Sequence, residues 1–122
     1  KKHNLIIEDS LSNNYTKDLI ENPETQILII IADVDKCNID GLKEAVEFGN
    51  SINDNESVAI VTGSGFQNAA KFLNGNNIDL ELYFSDDIEL KAMVRSNPGI
   101  LVLNNGVILK KLHYNDFSKI RE

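Results

Sequence analysis

Two uninterrupted apolar runs stand out along the chain. Residues 26–33 (QILIIIAD) contain four isoleucines, and residues 57–62 (SVAIVT) form the second run. A short run of this kind, rich in β-branched residues and without polar alternation, is typical of a strand buried on both faces of a parallel sheet. Four further strands are predicted at residues 4–8, 80–84, 99–103 and 107–112, the first of them at an edge of the sheet.

Apolar residues at helical spacing fill most segments between these strands. A short helix over residues 15–22 ends before Pro23, whose ring removes a backbone donor. Asn38 is a suitable N-cap for the next helix, in which apolar residues recur at helical spacing from position 39 to 49. A third helix starts at Phe66 and ends before Gly75, a residue type that commonly follows a helix. Ser85 is predicted to cap a fourth helix, and residues 114–120 form a fifth.

The order of these elements predicts the fold class. Strands that alternate with helices are typical of an α/β sheet covered on both faces. Asn105-Gly106 predicts a two-residue β-hairpin near the end of the chain, because both central positions of a type I′ turn need a positive φ. The hairpin adds antiparallel strands, so the sheet should be mixed. We therefore predict a single α/β domain over residues 1–122.

The acidic composition narrows the possible partners. The chain has 12 lysines and arginines against 19 aspartates and glutamates, a net charge of −7. Phosphate backbones repel such a charge, so we expect no nucleic-acid partner. The longest apolar run, residues 27–32, is far shorter than the roughly 20 residues that span a bilayer. Because the chain begins at Lys1 rather than Met, we expect it to be a piece of a longer protein.

The sequence also limits metal and cofactor chemistry. A single cysteine, Cys37, excludes an internal disulfide, a Cys-x-x-Cys pair and a zinc site of four cysteines. The acidic stretch 33–41 does not fit an EF-hand loop, because placing Gly41 at the sixth position places Lys36 at the first. The Gly-Ser-Gly turn at 63–65 lacks the third glycine of a dinucleotide-binding turn. We therefore expect no metal and no cofactor.

The C-terminal part of the chain resembles a known superfamily. Residues 95–110 (RSNPGILVLNNGVILK) are similar to the C-terminal half of thioredoxins, in which a helix, a cis-proline, a strand, a glycine turn and a second strand follow one another. Pro98 matches the cis-proline beside the active site, and Gly106 matches the hairpin glycine. Residues 26–33 resemble the family's central strand, and residues 66–84 resemble the extra helix and strand of TlpA-like and peroxiredoxin members. The resemblance implies a thioredoxin-like three-layer α/β/α fold with a central mixed sheet, a terminal β-hairpin and a cis bond before Pro98.

The superfamily's Trp-Cys-x-x-Cys motif is missing. In the matching stretch, residues 32–38 (ADVDKCN), Val34 takes the place of the nucleophile if Cys37 is the resolving cysteine, whereas a shift of one residue places Asp35 and Asn38 there. Disulfide exchange by the usual route needs a second thiol. The resemblance thus implies a non-catalytic, redox-associated interaction module with a protein or peptide partner. In the family, the backbone beside the cis-proline pairs with an extended partner segment, which implies a groove formed by Asp35, Cys37, Asn97, Pro98 and Gly99.

Cys37 also supports an alternative function, a monothiol thiol-disulfide oxidoreductase or peroxidase resolved by an external thiol. It lies just before a predicted helix N-terminus, where the helix dipole and unpaired N–H groups lower the pKa of a thiol. Lys36 favours the thiolate, whereas the neighbouring aspartates oppose it. Peroxiredoxins place a threonine shortly before the cysteine, and this chain has none there. The sequence leaves both functions open, with Cys37 as the catalytic residue of the second.

A narrower resemblance suggests a cellular context. Residues 90–99 (LKAMVRSNPG), followed by residues 111–116 (KLHYND), are similar to the soluble tail of bacterial DoxX-type membrane proteins. In that tail a tryptophan stands where this chain has Leu112. The resemblance implies a membrane-associated bacterial domain, attached through segments outside this sequence, on either the cytoplasmic or the periplasmic side.

Overall fold

The computed structural model describes residues 6–52, 58–94 and 96–113. The described elements, in chain order, are α1 (Thr16–Ile20), β1 (Thr25–Ile31), a 3-10 helix (Val34–Lys36), α2 (Ile39–Ile52), β2 (Val58–Thr62), α3 (Phe66–Gly75), β3 (Glu81–Phe84), α4 (Asp87–Met93), β4 (Gly99–Asn104) and β5 (Val107–His113). The helix predicted over residues 114–120 lies outside the described residues.

One mixed sheet contains all five strands, in the order β3-β2-β1-β4-β5. The strands β1, β2 and β3 run parallel, with Ile29 opposite Ile60 and Ile60 opposite Leu82. The strand β4 pairs antiparallel with β1, and β5 pairs antiparallel with β4. The isoleucine-rich run is therefore the central strand, and its last six residues are all buried. The predicted mixed sheet is confirmed.

Helices cover both faces of this sheet and create two apolar layers. Alternate residues of a strand point to opposite faces, so the odd-numbered isoleucines of β1 face α2 and α3, whereas Leu28 and Ile30 face α1 and α4. The first layer includes Ile27, Ile29, Ile31, Leu42, Phe48 and Leu73. The second layer includes Leu19, Leu28, Ile30, Leu90, Met93 and Leu101. This is the three-layer α/β/α arrangement that the sequence predicts.

The turn between β4 and β5 has the predicted hairpin geometry. Asn105 and Gly106 both have a positive φ, 51° and 86°, as a type I′ turn requires. The backbone N–H of Asn105 donates to the carbonyl of Asn22, and that of Gly106 donates to the carbonyl of Ile20. These two hydrogen bonds hold the hairpin turn against the end of α1.

A bulge in β5 changes which way its side chains point. The register shifts between Val102, opposite Lys110, and Leu103, opposite Ile108, so Leu109 is the extra residue. Ile108 and Leu112 are four positions apart and would share a face in a regular strand. The bulge instead places Ile108 against the second apolar layer and Leu112 in the first. It leaves Leu109 exposed.

In the described part of the predicted N-terminal strand, one residue bridges to the sheet. Of residues 4–8, the structure describes 6–8, and Glu8 forms isolated bridges with Asn14 and Phe84. The Asp9 carboxylate accepts from the backbone N–H groups of Leu11 and Asn13, each at 2.9 Å. This turn draws the chain away from the sheet edge directly after Glu8, which prevents a longer strand.

Two predicted helix-end residues have other roles. Ser85 does not cap α4: the Asp86 side chain accepts from the Glu89 N–H at 3.0 Å, and the Ser85 N–H donates to the carbonyl of Thr62. Gly75 is still inside α3, and Asn77 takes the left-handed conformation that follows the helix, with φ 58°. Both predictions are wrong. Asp86, one residue after Ser85, caps the N-terminus of α4, and Asn77, two residues after Gly75, takes the positive φ that follows α3.

Candidate functional site

The loop that follows β1 is held by its own side chains and by the neighbouring turn. The Asp33 carboxylate accepts from the Asp35 N–H at 2.9 Å and so starts the 3-10 helix. The Val34 N–H donates to the Ser64 hydroxyl at 3.0 Å. The Ser64 N–H in turn donates to the Thr62 hydroxyl. The Gly-Ser-Gly turn therefore serves to position the loop of residues 33–38, which we call the cysteine loop.

The proline loop, residues 96–98, lies directly against the cysteine loop. The Asn97–Pro98 peptide bond is cis in the structure. The Asn97 carbonyl accepts from the Asn38 N–H at 2.8 Å, and the Asn97 side-chain amide donates to the Asp33 carbonyl at 2.6 Å. The structure thus brings the sequence-predicted Asp35 and Cys37 loop together with Asn97 and Pro98.

The backbone of this site is less available than the resemblance implies. Gly99 pairs with Ile30 on one side and with His113 on the other, so it is an interior position of the sheet. The Pro98 carbonyl accepts from the Ser96 hydroxyl at 2.7 Å. The carbonyls of Asn97 and Pro98 and the paired backbone of Gly99 are therefore already engaged within the chain.

Burial controls the chemistry of Cys37. The side chain is half-buried, packs against the first apolar layer and lies with its Sγ 3.7 Å from the Asn38 carbonyl oxygen. Desolvation raises the pKa of the Cys37 thiol to about 12. The lowered thiol pKa expected at a helix N-terminus is therefore wrong.

The helix N-terminus does not stabilise the thiolate because another residue already uses it. The Asn38 side chain accepts from the Gly41 N–H at 2.7 Å, as an N-cap does, and the Asn38 carbonyl accepts from the Leu42 N–H. The Cys37 N–H itself donates to the Val34 carbonyl. With the first turn of α2 capped in this way, desolvation determines the protonation state of the thiol.

The site offers no set of ligands for a metal within the described ranges 6–52, 58–94 and 96–113. No group of three or more histidine, cysteine, aspartate or glutamate side chains lies close enough together there to hold an ion. Across the same ranges, no helix is both long and apolar enough to cross a membrane.

Sequence reasoning missed Ser64 and the side-chain role of Asn97. Ser64 is 30 positions from the Val34 N–H it binds, and Asn97 is 64 positions from Asp33. Neither contact has a local sequence signal, because each depends on strand ends that only the sheet order brings together.

Comparisons with known proteins bear on the fold of the chain. No protein-family model and no curated protein matches the chain. Among solved structures, a thioredoxin-like protein from Porphyromonas gingivalis superposes with a TM-score of 0.62 at 17% identity, over 95% of this chain and 84% of that chain. A thiol peroxidase from Chromobacterium violaceum gives 0.59 at 10% identity, over 95% and 78%.

The fold is thioredoxin-like. The structure of the pneumococcal exposed lipoprotein thioredoxin from Streptococcus pneumoniae superposes with a TM-score of 0.53 at 17% identity, over 94% of this chain and 95% of that chain. The cysteine loop of this thioredoxin-like fold carries the single thiol of the chain, which is half-buried.

Proposed function

We propose that this thioredoxin-like domain is a non-catalytic interaction module that uses the surface around its cysteine loop to contact a protein or peptide partner. The observation that supports this most strongly is the state of Cys37, the single thiol of the chain, which is half-buried against the core. Redox and peroxidatic cysteines act as accessible thiolates, and burial raises the pKa of this thiol far above neutrality.

The exposed side chains of the cysteine loop supply the contact surface. Asp35, Lys36 and Asn38 are exposed, and Asn97 is half-buried beside them. Because the Asn97 carbonyl already binds the Asn38 N–H, a partner meets this surface mainly through side chains. This differs from pairing of an extended peptide with the proline loop, which needs open backbone groups.

Activity assays and site-specific crosslinking together test this proposal. We expect neither the native chain nor Cys37→Ser to reduce insulin or to consume peroxide above background. A photo-crosslinking residue at Asp35 in the full-length protein should yield a discrete adduct in cells, whereas the same residue at exposed Glu24, before β1, should not. Activity that disappears in Cys37→Ser would overturn the proposal, as would identical crosslinking from the two positions.

A monothiol enzyme is the second candidate. The likeness to a thiol peroxidase fold and the partial exposure of Cys37 favour it. Its chemistry would require an external thiol to resolve the oxidised cysteine, because the chain has no other cysteine. Cys37-dependent peroxide consumption in the assay above is the result that selects this function.

The resemblance of residues 90–99 and 111–116 to DoxX tails supports a further part of the proposal, that the domain belongs to a bacterial DoxX-type membrane protein. The reading frame upstream of Lys1 tests it directly. Several apolar segments of roughly 20 residues each, the length that spans a bilayer, would support the membrane context. An upstream frame without such segments would contradict it.

A further inference from the structure

The outer edge of β3 is a boundary of the sheet, and one residue pairs with it. The N–H and carbonyl of Phe84 exchange hydrogen bonds with the carbonyl and N–H of Glu8, at 2.7 and 2.9 Å. The next residue, Ser85, donates instead to Thr62 at the end of β2. Backbone groups of successive strand residues thus alternate between the outer edge and β2.

This alternation leaves an open position on the outer edge at Leu82. Leu82 is two residues before Phe84, so its N–H and carbonyl point toward the same outer side. A continued antiparallel segment would place Ser10 there, but the Asp9 N–H donates to the Asn13 carbonyl and the chain turns away. Among the described residues, Glu8 alone bridges to this edge, and it does so at Phe84.

Two hollows flank the Glu8–Phe84 bridge, and carboxylates line both of them. The first has a volume of about 340 Å³ and is lined by Ile6, Glu8, Phe84, Ser85 and Asp86. The second has a volume of about 280 Å³ and is lined by Asp9, Tyr15, Glu81, Leu82 and Tyr83. Each hollow therefore combines apolar side chains with two acidic ones, and the described residues of both linings include no basic side chain.

Exposed apolar side chains and a hydroxyl without a hydrogen-bond partner lie at or near the first hollow. Ile6 is 55% exposed, and Phe66, whose ring centroid lies 6.0 Å from that of Phe84, is 54% exposed. The Ser85 hydroxyl is buried beside the first hollow and has no hydrogen-bond partner within the described part of the chain. Buried polar atoms are normally paired, so this hydroxyl is available to a water molecule or a ligand that enters the hollow.

We propose that the outer edge of β3 docks an extended segment of another protein that carries lysine or arginine side chains between apolar ones. Backbone pairing at Leu82 would continue the sheet, apolar side chains would enter the hollows, and cationic side chains would meet Glu8, Asp9, Glu81 and Asp86. A second copy of this chain is the poorer occupant, since it would bring like charge to an acidic edge on a chain of net charge −7. This surface is distinct from the cysteine loop, so the inference does not rest on the proposed function.

A synthetic peptide in which lysine alternates with valine and threonine is the probe. We expect saturable binding by fluorescence anisotropy that weakens with added salt, together with slower hydrogen exchange of the Leu82 amide. The same peptide with N-methyl groups on alternate amides keeps its charge but cannot pair as a strand, and it should lose most of the affinity. A glutamate version of the peptide should not bind.

Charge reversal at a matched pair of sites makes the test specific. Glu8→Lys places a cation in the first hollow and should weaken binding about fivefold or more. The reason is that a side chain that attracts the cationic peptide is replaced by one that repels it. Glu24→Lys makes the same change of charge at an exposed site next to the amino end of β1 that lines neither hollow, and should change affinity less than about twofold. Circular dichroism checks that both variants fold.

Several results would overturn the inference. An equal loss in Glu24→Lys would mean that the peptide responds only to the overall charge. Binding by the N-methylated peptide as tight as by the parent would exclude strand pairing, and protection of β5 amides in place of Leu82 would locate docking at the opposite edge. Absence of saturable binding would also contradict it.

Discussion

Gly63→Ala is expected to lower the free energy of unfolding by about 3 kcal/mol, the upper part of the usual range for forcing an extra carbon into a packed site. A Cβ at this position would overlap the Asp87 Cβ and would lie 2.6 Å from the Asp87 Cα and 2.7 Å from the Ala32 carbonyl oxygen. Two of these atoms are backbone, so rotation of a side chain cannot relieve the overlap. Urea denaturation monitored by circular dichroism measures the change.

Gly65→Ala is the matched control for this prediction. It makes the same substitution two positions later in the same turn, where no atom lies within 4 Å of the added Cβ. Gly65 has φ −69°, which alanine adopts readily, and it precedes α3 as the N-cap. Replacing the N-cap glycine lowers the stability of the folded domain, whereas alanine stiffens the unfolded chain and so raises the stability. The two effects oppose one another, and the free energy of unfolding should change by less than about 1 kcal/mol. Equal effects of the two variants would contradict the close contact at Gly63.

Phe48→Ala is expected to destabilise the domain by about 3–5 kcal/mol, the range measured for removing a buried aromatic ring. Phe48 is 1% exposed and lies in the first apolar layer between α2 and the sheet. Its removal leaves a cavity that the surrounding isoleucines, which are held by the sheet, cannot fill. Thermal and urea denaturation both report this loss.

Phe66→Ala makes the same change at a surface position and should cost about 1 kcal/mol or less, the size of an aromatic pair interaction. Phe66 is 54% exposed and contacts the Phe84 ring. A small effect at Phe48, or an equal effect at the two positions, would mean that the layer between α2 and the sheet is not the tightly packed core described above.

Local signals in the sequence predicted much of the fold. The run around Ile29 was long enough and apolar enough to indicate a central strand, and the structure buries it between two layers. Asn105-Gly106 specified the hairpin because few other residue pairs accept a positive φ at both positions. These features could be predicted because their causes lie within a few residues of one another.

The bulge and the contacts between loops could not be predicted in this way. Leu109 is an ordinary apolar residue, and only the pairing of β5 with β4 shows that it is the extra one. The hydrogen bond from the Asn97 side-chain amide to the Asp33 carbonyl depends on the sheet order, which places β4 beside β1. Neither feature leaves a periodicity or a turn signal in the local sequence.

Cys37 illustrates the limit for the candidate site. The structure confirms that Cys37 lies just before a helix, but the lowered thiol pKa that this position suggested is wrong. The thiol pKa depends instead on the burial of the sulfur and on the capping of α2 by Asn38. Both are properties of the packed fold, so the protonation state of the thiol could not be predicted from the sequence.

The pH dependence of Cys37 alkylation by iodoacetamide tests the central claim, that this thioredoxin-like domain carries a non-nucleophilic thiol. With the thiol pKa near 12, the thiolate at pH 8 is about a thousandfold scarcer than for an unburied thiol, and the greater nucleophilicity of a more basic thiolate recovers part of this loss. We predict a rate about 30-fold or more below that of the urea-unfolded chain at pH 8, with no inflection up to about pH 10 while circular dichroism shows the domain folded. An inflection below about pH 8.5, the free-thiol value, would contradict the account and favour a monothiol enzyme.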